Sequence, residues 1–339
     1  MKFIIVLAGL LLPALSVTVS SNFFNDYLKD RYTVKIVSDM PQGIKSQIIV
    51  ISSRNFRADV EFGIKRGLDP RYRLSNFIAG LRNDTAYIIP VDRFEKIKDY
   101  LSPEKDILVL VDGHGKTFGH SMERGFELTE RFTINMIVFD WPTDYLALRK
   151  TVYNSADASV SFVKAMKKLD ALKKEDFPNS AVSVIFHSMG NRILKEIACS
   201  PLLQKMPGHL FSNLIINAAA VKQHNHKKWV EKLDIQKRIY ITMNEKDFNL
   251  RGAAMLRMSK QLGMTNKNRS AKNAYYVNFS QLSTIEHNLF LGRSSLEKTN
   301  PELQQFYDHA FHGREVILDK QAGIQILIPS DKSFLFSVR

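Results

Sequence analysis

The sequence predicts an α/β fold, a mostly parallel sheet with helices on both faces. Between residues 106 and 279, short apolar, β-branched runs alternate with stretches of helical periodicity, as strands joined by crossover helices do. The stretch 181–194, A-V-S-V-I-F-H-S-M-G-N-R-I-L, condenses that pattern into a buried strand, a sharp turn and a helix start. The 339 residues of ordinary globular composition suffice for one large core.

In chain order, Lys2 followed by the apolar run 3–15, with small residues at Ala14 and Ser16, predicts a signal peptide over 1–16. The expected location is then extracytoplasmic, periplasmic or secreted. The remainder, 22–339, reads as one domain: an N-terminal extension (22–101), a catalytic core (102–295) and a C-terminal helix and tail (296–339). The extension is a strand-rich lead-in, with strands expected at 32–37, 47–52 and 86–90. The polar, Arg-rich stretch 53–82 between them is expected to be loop with one short helix. Residues 92–101 have helical spacing (Phe94, Ile97, Leu101), and Asp92 is placed to cap them.

The regular run follows. Strands are expected at 106–111, 135–139, 182–187, 213–218, 238–243 and 274–279. Helices are expected at 117–132, 153–174, after Asn191, and at 226–233 and 250–262. The buried side of the long helix 153–174 is expected to be Val160, Phe162, Val163, Met166, Leu169 and Leu172. Beyond it come a helix at 302–311 and edge strands or a hairpin at 324–328 and 334–338, a short β tail.

Cys199 is the only cysteine, so no intramolecular disulfide can form; after an apolar helix it is expected to be an inert buried thiol. The formal charge of +14 is compatible with weak association with anionic surfaces. Its basic residues (Lys35, Arg54, Arg57, Lys227, Lys228 and others) are scattered, without aromatic interleaving, which reads as a solvated surface rather than a nucleic-acid site. His224 and His226 form a close pair with no acid pattern to complete a metal site, and read as a surface cluster. No metal and no cofactor are expected.

The chemistry-bearing candidates lie after the strands. Ser188, between strand and helix, fits a nucleophile elbow: the turn lifts Oγ off the backbone and the helix N-terminus favours developing negative charge. The plainer alternative is a Ser that caps the helix. Phe186 departs from G-x-S-x-G, where a small residue normally stands two positions before the Ser.

Asp112-Gly113-His114-Gly115-Lys116-Thr117-Phe118, Phe139-Asp140-Trp141-Pro142-Thr143 and His187-Ser188-Met189-Gly190-Asn191 occur in that order. Together they resemble a bacterial family of α/β-hydrolases of unknown function, with H-G-Y-x-x-x-F, F-x-W-P-S and H-S-M-G-N signatures. The resemblance covers roughly 106–290. It implies the α/β-hydrolase fold and serine ester hydrolysis on a small-molecule or lipid ester, with Ser188 as nucleophile, Asp247 as acid and His287 as base. Glu245 rivals Asp247, and His309 and His312 are the fallbacks for His287. The oxyanion donors are the N–H of Met189 and that of His114 if Gly113 is the family's Gly; otherwise the second donor is Lys116. Asp112 then stands where the family has His, an acid beside a developing oxyanion. Gly113 and Trp141 are pocket candidates, although Trp141 could equally close a core corner. A catalytically inactive binding protein and an acyltransferase remain the alternatives.

Overall fold

The computed structural model describes residues 32–55, 72–143, 148–256, 258–265, 270–282, 284–292, 300–316 and 325–327. The expected signal segment 1–16 and strand 334–338 lie outside the described residues.

The strands are β1 (Thr33–Ile36), β2 (Ser46–Ser52), β3 (Ser75–Arg82), β4 (Thr85–Val91), β5 (Ile107–Val111), β6 (Asn135–Asp140), β7 (Val182–His187), β8 (Phe211–Asn217), β9 (Gln236–Met243), β10 (Tyr275–Asn278) and β11 (Gln325–Leu327). They form one sheet in the order β1-β4-β3-β2-β6-β5-β7-β8-β9-β10-β11. Every pair from β2 to β10 in that order is parallel. The β2–β3, β3–β4 and β10–β11 pairs are antiparallel, and β1 runs parallel to β4.

The N-terminal strands are therefore part of the main sheet. β2 pairs with β6 from Ile49–Ile137 to Ser52–Asp140. The expectation of a loop with a short helix over 53–82 is corrected where it is described: β3 occupies Ser75–Arg82. Its F-I-A-G-L centre is buried, and Asn83 at φ 53° turns the chain into β4. Arg73 and Arg82 at its ends disguised the strand.

The sheet is buried on both faces, and successive residues alternate between them. In β5, Ile107, Val109 and Val111 face one cluster while Leu108 and Leu110 face the other. The first face is covered by α2 (Leu148–Asp176) and α3 (Asn191–Ala198), the second by α1 (Phe118–Arg131) and α6 (Pro301–Phe311). Thr117 caps α1 by accepting the N–H of His120, and Asn300 caps α6 by accepting that of Leu303.

Several local expectations change. Residues 94–100 form a 3₁₀ helix rather than an α-helix, and Asp92 makes no cap; its carboxylate accepts the N–H of Arg93 and pairs with Lys96. Along α2, Val160 is only half-buried. Two helices are shorter than expected: α4 is Lys227–Val230 and α5 is Phe248–Leu256, with Leu262 buried beyond its end. Cys199 is exposed, because it follows the last turn of α3 at its C-cap and faces outward.

Candidate active site

β5, β7, β8, β9 and β10 are parallel, so their C-terminal ends lie on one edge of the sheet, where open α/β sheets bind ligands. β7 ends at His187, and Ser188 takes φ 52°, left-handed for a residue that is not glycine. Such a conformation costs about 1–3 kcal/mol and persists only where its surroundings enforce it. Here Asn191, fully buried, donates its side-chain N–H groups to the carbonyls of Phe186 (2.7 Å), Ser188 (3.1 Å) and Asn217 (3.2 Å). The N–H of Ala220 also donates to the Ser188 carbonyl at 3.0 Å. A Cβ on Gly190 would sit 2.4 Å from the Val111 carbonyl oxygen, so the turn fits against β5 only with glycine there. The sequence reading did not assign Asn191 this role.

Phe186 finds its room in the core. It alternates away from the edge onto the α2 face, its ring 5.3 Å from Phe162, which in turn meets Phe139 edge-on at 5.1 Å. The usual small residue is replaced by a ring in an aromatic cluster.

Asp247 follows β9, is 1% exposed, and uses both oxygens. Oδ1 accepts the N–H of Leu250 at 3.0 Å in the first turn of α5; Oδ2 accepts from His287 Nδ1 at 2.6 Å. Glu245 is exposed. His312, beside Gly313, lies at the other edge of the sheet: a Cβ on Gly313 would touch Ala181 and Ser212, at the starts of β7 and β8. Its Nδ1 is spent on the Asp308 carbonyl, and His309 belongs to the same end of α6. A strand of six residues separates that edge from Ser188, about 20 Å.

The ring of His287 lies 4.6 Å from that of His187, the chain neighbour of half-buried Ser188. No hydrogen bond joins Ser188 Oγ to His287 among the described residues. The structure thus brings the Asp247–His287 pair beside the elbow without closing the last link.

The loop after β5 lies directly against Ser188. A Cβ on Gly113 would be 2.7 Å from Ser188 Cβ and 3.2 Å from the Met189 nitrogen. The N–H of Gly113 is held by Asp112 Oδ1 (2.6 Å) and that of Lys116 by Thr143 Oγ1 (2.7 Å). The His114 ring meets Thr151 Oγ1 at 3.0 Å. Trp141 is 2% exposed and joins the core rather than an open pocket wall; its indole N–H donates to the Asp112 carbonyl at 2.8 Å and so fixes the same loop.

Asp112 is charge-paired within the site. Its Oδ1 pairs with Arg124 at 2.8 Å, both side chains being buried, and Arg124 reaches on to Asn288 Oδ1 at 3.2 Å. A second buried pair stands behind the loop. Arg54, expected on the surface, is 1% exposed; it grips Asp140 with two nitrogens (2.7 and 3.0 Å) and donates to the carbonyls of Lys116 and Trp141. Two charges far apart in the chain gave no local signal of this contact.

His187 is buried among polar partners. Its Nδ1 accepts from Asn217 Nδ2 at 2.9 Å, and Asn217 Oδ1 accepts from Thr242 and Tyr307. Burial, and then the charges of His287, Arg124 and Lys116, hold His187 well below the ordinary histidine range, so it is neutral at pH 7. The other histidine pair corrects the surface-cluster expectation: His226 is fully buried, its Nε2 2.6 Å from the Tyr276 hydroxyl, while His224 is exposed.

Residues 92–307 match the model of a family described as alpha/beta hydrolase of unknown function (DUF900). No curated protein and no solved structure matches the chain.

Proposed function

Since the chain belongs to this family of alpha/beta hydrolases of unknown function, we propose that it is a serine hydrolase cleaving a carboxylic ester through Ser188, His287 and Asp247. The observation that carries the reading is the 2.6 Å Asp247–His287 hydrogen bond beside a Ser188 forced into a left-handed turn. Ser188 Oγ attacks the ester carbonyl carbon and its proton passes to His287 Nε2. Asp247 holds the imidazole through Nδ1–H and stabilises the imidazolium. The N–H groups of Met189 and His114 receive the oxyanion. Collapse breaks the bond to the alkoxy oxygen, which leaves as alcohol with the proton from His287. Water then hydrolyses the acyl-enzyme by the same steps in reverse roles.

An apolar acyl group suits the surroundings. Met189, Ala218, Ala220 and Leu250 form a separate hydrophobic cluster around the elbow, with Leu148, Val152 and Met264 packed on it. The rival reading, a hydrolase-fold binding protein without catalysis, draws on the missing Ser188–His287 hydrogen bond; catalytic hydrogen bonds commonly tighten only with substrate. A fluorophosphonate probe and short p-nitrophenyl esters separate the two. Labelling and turnover that vanish in Ser188→Ala are the expected result. A folded wild type that is neither labelled nor distinguishable from Ser188→Ala in turnover defeats the proposal.

A further inference from the structure

Among the described residues, two exposed large hydrophobic side chains, Phe248 and Ile285, flank the Asp247–His287 pair, and three more, Met255, Leu256 and Met258, follow on the same segment. Phe248 follows Asp247 directly, and its N–H donates to the carbonyl of Ile285, two residues before His287. Met255, Leu256 and Met258 extend the patch along and just beyond α5, with Met255 73% and Met258 95% exposed. Tyr153 adjoins Val152, which packs on the apolar cluster around Met189. Scattered apolar residues are normal on a surface, but several exposed on one short segment that starts beside Asp247 are not.

The charges around it have one dominant sign. Lys222, Lys246, Arg251 and Lys260 are exposed on the segments that carry or adjoin the patch, and the bridge between Lys222 and Gln261 brings two of those segments together. Glu245 and Glu286 are the opposing acids, in a chain of net charge +14. Exposed aliphatic side chains on segments with an excess of Lys and Arg suit contact with the headgroups of an anionic bilayer, which attract each cation near the surface. A protein seated over this mouth would close Ser188 off, whereas a lipid surface would deliver ester to it.

We infer that the α5 rim docks on an anionic lipid surface and presents lipid esters from that surface to Ser188. The substrate half rests on the esterase reading above; the docking half stands on the rim alone. The test mixes the full chain with vesicles of phosphatidylcholine, with and without phosphatidylglycerol, and follows cosedimentation. Wild type and Ser188→Ala are expected to bind the anionic vesicles alike, and less as salt is raised. The exposed triple variant Met255→Ser, Leu256→Ser, Met258→Asn is expected to bind about tenfold more weakly. Its fluorophosphonate labelling should match that of the wild type, which separates loss of docking from loss of chemistry. If the wild type ignores anionic vesicles, or the triple variant binds them equally well, docking is overturned. Equal binding to neutral vesicles overturns the anionic assignment. A variant-sensitive dimer in the absence of vesicles would assign the rim to a second copy of the chain instead.

Discussion

Asp247 Oδ2 and His287 Nδ1 lie 2.6 Å apart while Oδ1 of the same carboxylate holds the N–H of Leu250. The acid is therefore oriented by the helix it begins, and it orients the imidazole in turn. Replacing it with Asn keeps the shape and one hydrogen bond but favours the wrong tautomer of His287. Asp247→Asn is expected to lower kcat by about three to four orders of magnitude with little change in thermal midpoint. Glu245→Gln, at an exposed position, is expected to leave kcat within about twofold. Steady-state kinetics on a soluble ester compare the two, and equal losses would remove Asp247 from its role.

The glycines at the elbow tie the nucleophile to the backbone beneath it. A methyl group on Gly113 meets Ser188 Cβ at 2.7 Å and the His187 carbonyl oxygen and Met189 nitrogen at 3.2 Å, so the elbow itself must shift. Gly113→Ala is expected to reduce kcat about a hundredfold, because small misplacements of reacting groups are that costly. On Gly190 the methyl meets the Val111 and Asp112 carbonyl oxygens at 2.4 and 2.8 Å, and backbone in a central strand does not yield. Gly190→Ala is expected to cost about 3 kcal/mol of stability in urea denaturation.

The strands β5 to β9 were legible because burial on both faces writes them as unbroken apolar runs. The order of Ser188, Asp247 and His287 was legible because each follows a strand whose C-terminal end shares one edge. What was hidden depends on partners distant in the chain. Arg54 read as surface because arginine usually is, but it is buried against Asp140 across the β2–β6 pairing and the carbonyls of Lys116 and Trp141. Asn191 read as a helix start, whereas its side chain ties the turn carbonyls of Phe186 and Ser188 to that of Asn217 at the end of β8. Asp112 read as a lone acid beside the oxyanion because its counter-charge, Arg124, sits on the next helix and gives no local signal.

That Asp112–Arg124 pair is buried on both sides, at 4% and 6% side-chain exposure, and gives a double-mutant prediction. Arg124→Met leaves a carboxylate buried without its counter-charge and is expected to cost about 3–5 kcal/mol. Asp112→Asn in the same chain removes the stranded charge and is expected to restore more than half of that loss. Urea unfolding of the two single variants and the double variant measures the coupling; simple additivity would mean that the pair does not act as a unit.

His187 predicts a pH signature in stability. Its folded form resists protonation because it is buried and faces His287, Arg124 and Lys116, which outweigh the opposing side-chain hydrogen bond to Asn288; Asn217 and Phe290 also lie against it. The unfolded chain takes up that proton near pH 6.5 and the folded chain only at lower pH. Between those two values the unfolded state binds more protons, so the contribution of His187 is complete above about pH 6.5 and declines by about 1 kcal/mol per pH unit as pH falls. His187→Gln removes the titration and leaves the other histidines in place. The stability gap between wild type and His187→Gln, read from urea midpoints at pH 8, 6.5 and 5, is expected to shrink from the first to the last. A gap that stays constant would mean that His187 takes up its proton at the same pH in the folded and the unfolded chain, so that its burial does not keep it neutral, and a gap that widens toward pH 5 would mean that the fold favours the protonated ring.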